Sequence, residues 1–189
     1  GWVFQERLLA PRVLHFMDSE LVWECSQESA CQCKGTWDSS LALGTPKVEH
    51  IRELSNKSIE GLTERWHKLV EQYTTLDLTN ASDRLPALSG LAKQMTRYRD
   101  DRYLAGLWEN SIWEELVWRA HPLQRFNTPE RPFSAAPTWS WVTVEAPVTF
   151  TLPDDDPITF THRIPTSDLE CTLLQAECIP AIEDESSAT

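Results

Sequence analysis

At 189 residues, with 41% hydrophobic content and nine tryptophans, the chain has room for one domain or a domain and a half and is too rich in large apolar side chains for a disordered protein. Its formal net charge of −12, with 17 basic residues scattered among 29 acidic ones, argues against binding nucleic acid or an anionic membrane, since both require clustered Lys and Arg. No apolar run approaches the ~20 residues of a membrane span, and Gln5-Glu6-Arg7 interrupts any signal-peptide core, so a cytoplasmic protein is expected.

Residues 2–10 predict a short helix, halted by Pro11. Trp2, Val3, Leu8 and Leu9 enter this pattern with no cap ahead of them, and the chain therefore reads as a fragment of a longer protein. Val13–Phe16 and Glu20–Cys25 read as two strands joined by a tight turn at Met17-Asp18-Ser19, with Leu21, Trp23 and Cys25 on one face and Val22 and Glu24 on the other. From Ser26 to Asn56 a long Ser-, Gly- and Thr-rich loop is expected, broken by a brief helix around Val48–Leu54.

Residues 58–75 carry the clearest helical signal. Ile59, Leu62, Trp66, Leu69, Val70 and Tyr73 fall within an arc of roughly 100°, and Ser58 is the expected N-cap. A second helix is predicted over 83–96, capped by Ser82, with Pro86 tolerated in its first turn. A third, over 103–119, follows from the row Leu104, Trp108, Ile112, Leu116. After a Pro-rich connector at 121–137 the period changes to two: Trp139 and Trp141, then Val148, Phe150 and Leu152, then Ile158 and Phe160 alternate with smaller or polar residues up to about 182. Residues 183–189 form an acidic tail with nothing to bury. The fold class is α+β: a short helix and a β-hairpin, a central bundle of about three helices, and a C-terminal antiparallel β region.

Five cysteines, an odd number without a secretory signal, point to reduced thiols. Cys25, Cys31 and Cys33, with His15 on the neighbouring strand as a fourth ligand, form a candidate structural zinc site that would clamp the following loop. The competing reading is that these are small buried apolar residues and that His15 bonds within the hairpin. Asp83-Arg84 reads as a helix-terminal pair rather than a catalytic one, and Asp154–Asp156 as a solvated turn rather than a calcium loop. No triad spacing surrounds His50, His67, His121 or His162, and six glycines supply no phosphate loop. No cofactor other than zinc is expected.

Several phrases run in a recognisable order: Gly1-Trp2-Val3-Phe4-Gln5-Glu6-Arg7-Leu8-Leu9; Arg12–Phe16 with Leu21–Cys25; Trp66 with Val70 and Tyr73; Leu78-Thr79 and Ser82–Ala92; Tyr103–Trp108; and Pro137–Trp141. Over about residues 1–150 this series resembles the end of the fungal heterokaryon-incompatibility (HET) domain and the segment that follows it. The resemblance implies a non-catalytic C-terminal scaffold of a protein that acts in fungal allorecognition and programmed cell death, with other incompatibility or signalling proteins as partners. It covers only the final motif of the HET domain; the strand–helix blocks that precede it in the family are absent from this chain. Because that domain looks related to Toll/interleukin-receptor (TIR) modules, some of which cleave NAD, an enzyme fragment is the alternative, with Glu6 as the candidate carboxylate. A zinc-stapled interaction module is the third reading.

Overall fold

The computed structural model describes residues 1–18, 20–32, 46–55, 58–120 and 136–150. It is mixed α+β and divides into two units, 1–100 and 101–189.

The first unit opens with helix α1 (Trp2–Leu9), which ends where Ala10 turns extended ahead of Pro11. Strands β1 (Arg12–Phe16), β2 (Leu21–Cys25) and β3 (Ser29–Cys31) form an antiparallel sheet in the order β1-β2-β3. Its register pairs Leu14 with Trp23 and Trp23 with Ala30 on one face, and His15 with Val22 and Val22 with Cys31 on the other. The hairpin is as expected from the alternation, but β3 begins inside the predicted long loop. The turn that follows Cys25 is tight, closed by the Cys25 N–H donating to the Glu28 carbonyl (2.9 Å), so the chain returns at once as a third strand.

Helix α2 (Pro46–Ser55) is longer than the expected 48–54 and buries Lys47, His50 and Leu54. Helix α3 (Ile59–Thr74) has the predicted bounds within a residue, and Ser58 caps it by accepting from the Gly61 N–H at 3.0 Å. Leu62, Trp66, Leu69, Val70 and Tyr73 are fully buried, whereas Ile59, in the first turn, is exposed. Helix α4 (Pro86–Met95) starts later than predicted. Ser82 lies in a separate 3₁₀ turn (Ala81–Asp83), and Pro86 occupies the first helical position, where its missing N–H has no intrahelical role. α4 packs against α1 at Gly90, where a Cβ would lie 2.7 Å from both the Gln5 side-chain oxygen and a Leu9 methyl.

The second unit departs further from the sequence reading. Residues 103–119 are not one helix. Strands β4 (Tyr103–Leu104) and β5 (Leu107–Trp108) form a hairpin, followed by a 3₁₀ turn (Glu109–Ser111) and a four-residue helix, α5 (Ile112–Glu115). The cause is the Ala105-Gly106 pair, both at positive φ (46° and 101°), the conformation of a two-residue hairpin turn and incompatible with an α-helix. Leu104, Trp108 and Ile112 are nonetheless buried, so the apolar spacing was real and its period was misleading.

The stretch 138–150 likewise begins without a strand. Trp141–Thr143 is a 3₁₀ turn capped by the Ser140 hydroxyl, and among the described residues of this stretch the strand is Val148–Thr149 (β7), pairing with Arg119–Ala120 (β6). Trp141 is fully buried and Trp139 half-buried, so the two rings do not share one face of a strand. The expected strands beyond 150, the Pro-rich connector at 121–135 and the acidic tail lie outside the described residues. Among the described residues, no helix is long and apolar enough to cross a membrane.

Candidate functional site

Charged groups converge where α1 meets the sheet. Glu24, on β2, is only 3% exposed. Burying a carboxylate is costly unless its oxygens are hydrogen-bonded to cations, and here they are. Arg7, in the last turn of α1, donates Nε–H to Oε2 (2.8 Å) and Nη2–H to Oε1 (2.6 Å), a bidentate fork. His15, on β1, donates Nε2–H to Oε2 at 2.7 Å. The register explains the meeting: Glu24 stands opposite Val13, so His15 lies two residues along on the same face.

Burial alone would raise the Glu24 carboxyl, but the hydrogen bonds and charges of Arg7 and His15 outweigh it and hold the group below the usual carboxylate range. The hydrogen bond to Glu24 correspondingly raises the Arg7 guanidinium. Lys47 of α2, 1% exposed, completes the group: its Nζ donates to the Ala10 carbonyl at the end of α1. Burial lowers its ammonium, with Glu24 opposing and Arg7 adding to the effect. One carboxylate thus ties α1 to two strands, and a lysine ties α2 to the same corner. A shallow groove of about 520 Å³ runs beside it, with Phe4, Arg7, Leu8, Pro46, Thr75 and Leu76 among its walls.

A second buried set links α2, α3 and α4. His50, 0% exposed, donates Nε2–H to the Gln94 side-chain oxygen (2.7 Å) and accepts from Arg65 Nε at Nδ1 (3.0 Å). It is therefore neutral, and burial pushes it down to about 4. Arg65 and Lys68 both reach Glu53, at 2.7 and 3.0 Å. In the second unit the fully buried Glu115 accepts from the Trp108 N–H (2.9 Å) and the Ser111 hydroxyl (2.6 Å). Trp141 donates Nε1–H to the Gly106 carbonyl (3.1 Å), and the Ser140 hydroxyl donates to the Ala105 carbonyl (2.6 Å).

The residues singled out in the sequence separate. Glu6 is exposed on α1. His15 is engaged with Glu24, and Cys31 lies two strands away on the same face. Cys25 projects to the opposite face, its sulfur accepting from the N–H groups of Gln27 and Glu28, both at 3.4 Å. Cys33 lies outside the described residues, as do His121, His162, Cys171, Cys178 and Asp154–Asp156. Among the described residues, no three His, Cys, Asp or Glu side chains gather as a metal would require. Asp83 accepts from Trp2 Nε1 (3.1 Å), and the Arg84 carbonyl accepts from the Tyr73 hydroxyl (2.8 Å).

Sequence reasoning missed Glu24, Lys47 and His50 as network members. A charge on the strand face shared with Val22 was the only signal for Glu24. Lys47 fell within the predicted loop and gave none.

Compared with known proteins, the chain matches no family model, no curated protein and no solved structure.

Proposed function

We propose that this chain is the C-terminal scaffold of a heterokaryon-incompatibility type protein, acting in non-self recognition and programmed cell death through protein partners and without chemistry of its own. The observation that carries the reading is that the phrases behind the resemblance are one another's partners. Trp2 and Gln5 of the first phrase bond to Asp83 and Gly90 of the fourth, Arg7 of the first to Glu24 of the second, and Tyr73 of the third to Arg84 of the fourth. In the second unit, Trp141 of the last phrase bonds to Gly106 of the one before it. Residues selected as parts of one cooperating framework would be expected to meet in this way.

The chemistry of the charged groups supports the same reading. The Glu24 carboxylate is tied up by two cationic-type partners, and His50 is held neutral between Arg65 and Gln94. Groups so engaged brace a structure rather than turn over a substrate. Glu6, which the NAD-cleaving reading would use, stands in solvent rather than in a water-excluding site.

The test is to incubate the purified chain with NAD and, separately, to express it in a filamentous fungus. The expected outcome is no NAD consumption and no growth arrest from the chain alone. Turnover that disappears in Glu6→Ala would replace the scaffold reading with the enzymatic one.

A further inference from the structure

The three-stranded sheet is charged on its covered side and apolar on its open one, the reverse of the usual arrangement in a half-solvated antiparallel sheet. Glu24, Ser29 and Cys31, with His15, Val13 and Val22, occupy the face toward α1 and α2, where the first three are buried. The other face presents Leu14, Phe16, Leu21, Trp23 and Ala30. Phe16 is 80% exposed, Leu14 48% and Leu21 37%, and Met17, at the turn beside them, is 60% exposed. A contiguous patch of this kind on a protein surface marks an interface.

The charges at its two ends select the occupant. Arg12, exposed, stands at the start of β1 on this same face. Asp18, exposed, stands at the other end, in the β1–β2 turn two residues beyond Phe16. Glu28 lies at the Arg12 end, but beyond β2 at the turn into β3. Consider two copies of this sheet stacked face to face about a two-fold axis that lies in the interface and crosses the strands. Each β1 then runs antiparallel over its copy, and Arg12 of one reaches Asp18 of the other, twice. A two-fold axis along the strands would instead place Arg12 on Arg12. The face is therefore self-complementary in both shape class and charge, as an isologous interface requires.

We propose that the outer face of the β1–β3 sheet is a homodimer interface, closed by two Arg12–Asp18 contacts around a core of Leu14, Phe16 and Leu21. The proposal is independent of the incompatibility reading. Sedimentation equilibrium on the full chain across a concentration series tests it, and the expected result is a reversible monomer–dimer equilibrium. Phe16→Lys, at a position too exposed to disturb folding, should weaken association about tenfold or more. Arg12→Glu should also weaken it, and adding Asp18→Lys to that variant should restore it, with circular dichroism reporting an unchanged fold throughout. A chain that stays monomeric at every concentration overturns the proposal, including one that holds a different protein on this face. So does a dimer indifferent to Phe16→Lys, or a charge reversal that fails to rescue.

Discussion

The two units of this chain reach their folds by different routes. In residues 1–100, long helices with a single apolar stripe supply the core, and charged networks lock the elements together: Arg7–Glu24–His15 at the sheet, Gln94–His50–Arg65–Glu53 between the helices. Among the described residues of 101–150 the elements are two to four residues long, too short to hold themselves. Their stability comes from large indoles and from side chains that bond directly to backbone, such as Trp141 to Gly106 and Glu115 to Trp108. The contrast implies that the first unit should yield to loss of core volume and to protonation, and the second to small changes at its turns.

The largest single effect should come from Trp66→Ala. Its ring is 0% exposed in the middle of α3, and removing it should cost about 3–5 kcal/mol in a denaturant titration. A loss below about 1 kcal/mol would mean that the first unit does not depend on its helical stripe.

Acid should come next. Burial pushes His50 and His67 both down to about 4, from an ordinary value of 6.5. Between those values the unfolded chain binds protons that the folded chain does not, so stability rises with pH there. It is fully present above about 6.5, is lost as pH falls toward about 4, and levels off below. Thermal melts at pH 7 and pH 4.5 should differ by several degrees, and His50→Gln should reduce that difference. Loss of stability confined to pH values below 4 would assign the acid response to Glu24 and the other carboxylates instead.

In the second unit, Gly106→Ala should cost about 2–3 kcal/mol. The added Cβ meets Trp141 Nε1 at 2.7 Å, on a backbone with φ of 101° that L-residues avoid. Quenching or a shift of tryptophan emission would follow the displaced indole; an unchanged spectrum would show that the turn does not set the position of Trp141. The smallest effect should be Ser58→Ala, about 1 kcal/mol for the lost bond to the Gly61 N–H, read as a small drop in unfolding midpoint.

The same contrast explains how far the sequence could be read. The α3 stripe, its Ser58 cap, the β1–β2 alternation and the α+β class were all legible, because each is a local pattern with one period. The predicted 103–119 helix was not correct, because Leu104, Trp108, Ile112 and Leu116 match an i, i+4 row while Ala105-Gly106 imposes a reversal between the first two. A dipeptide of Ala and Gly is a weak turn signal, and the indole that secures it is 35 residues away. Ser82 failed as a cap because the chain makes a separate 3₁₀ turn before Pro86. At the site, Cys25 and Cys31 are close in sequence, yet the intervening turn and the pleat send them to opposite faces.

What the residues determined unaided was the inventory: which segments are amphipathic, which side chains must be buried, and which charges would need partners once there. The tertiary structure decided the pairings. Arg7 finds Glu24 across 17 positions, Lys47 closes the end of α1 across 37, and Gln5 meets Gly90 across 85. Local propensity carries no information about such distances. They follow only when several elements bury their apolar faces together, and burial then makes an unpartnered charge too costly to leave.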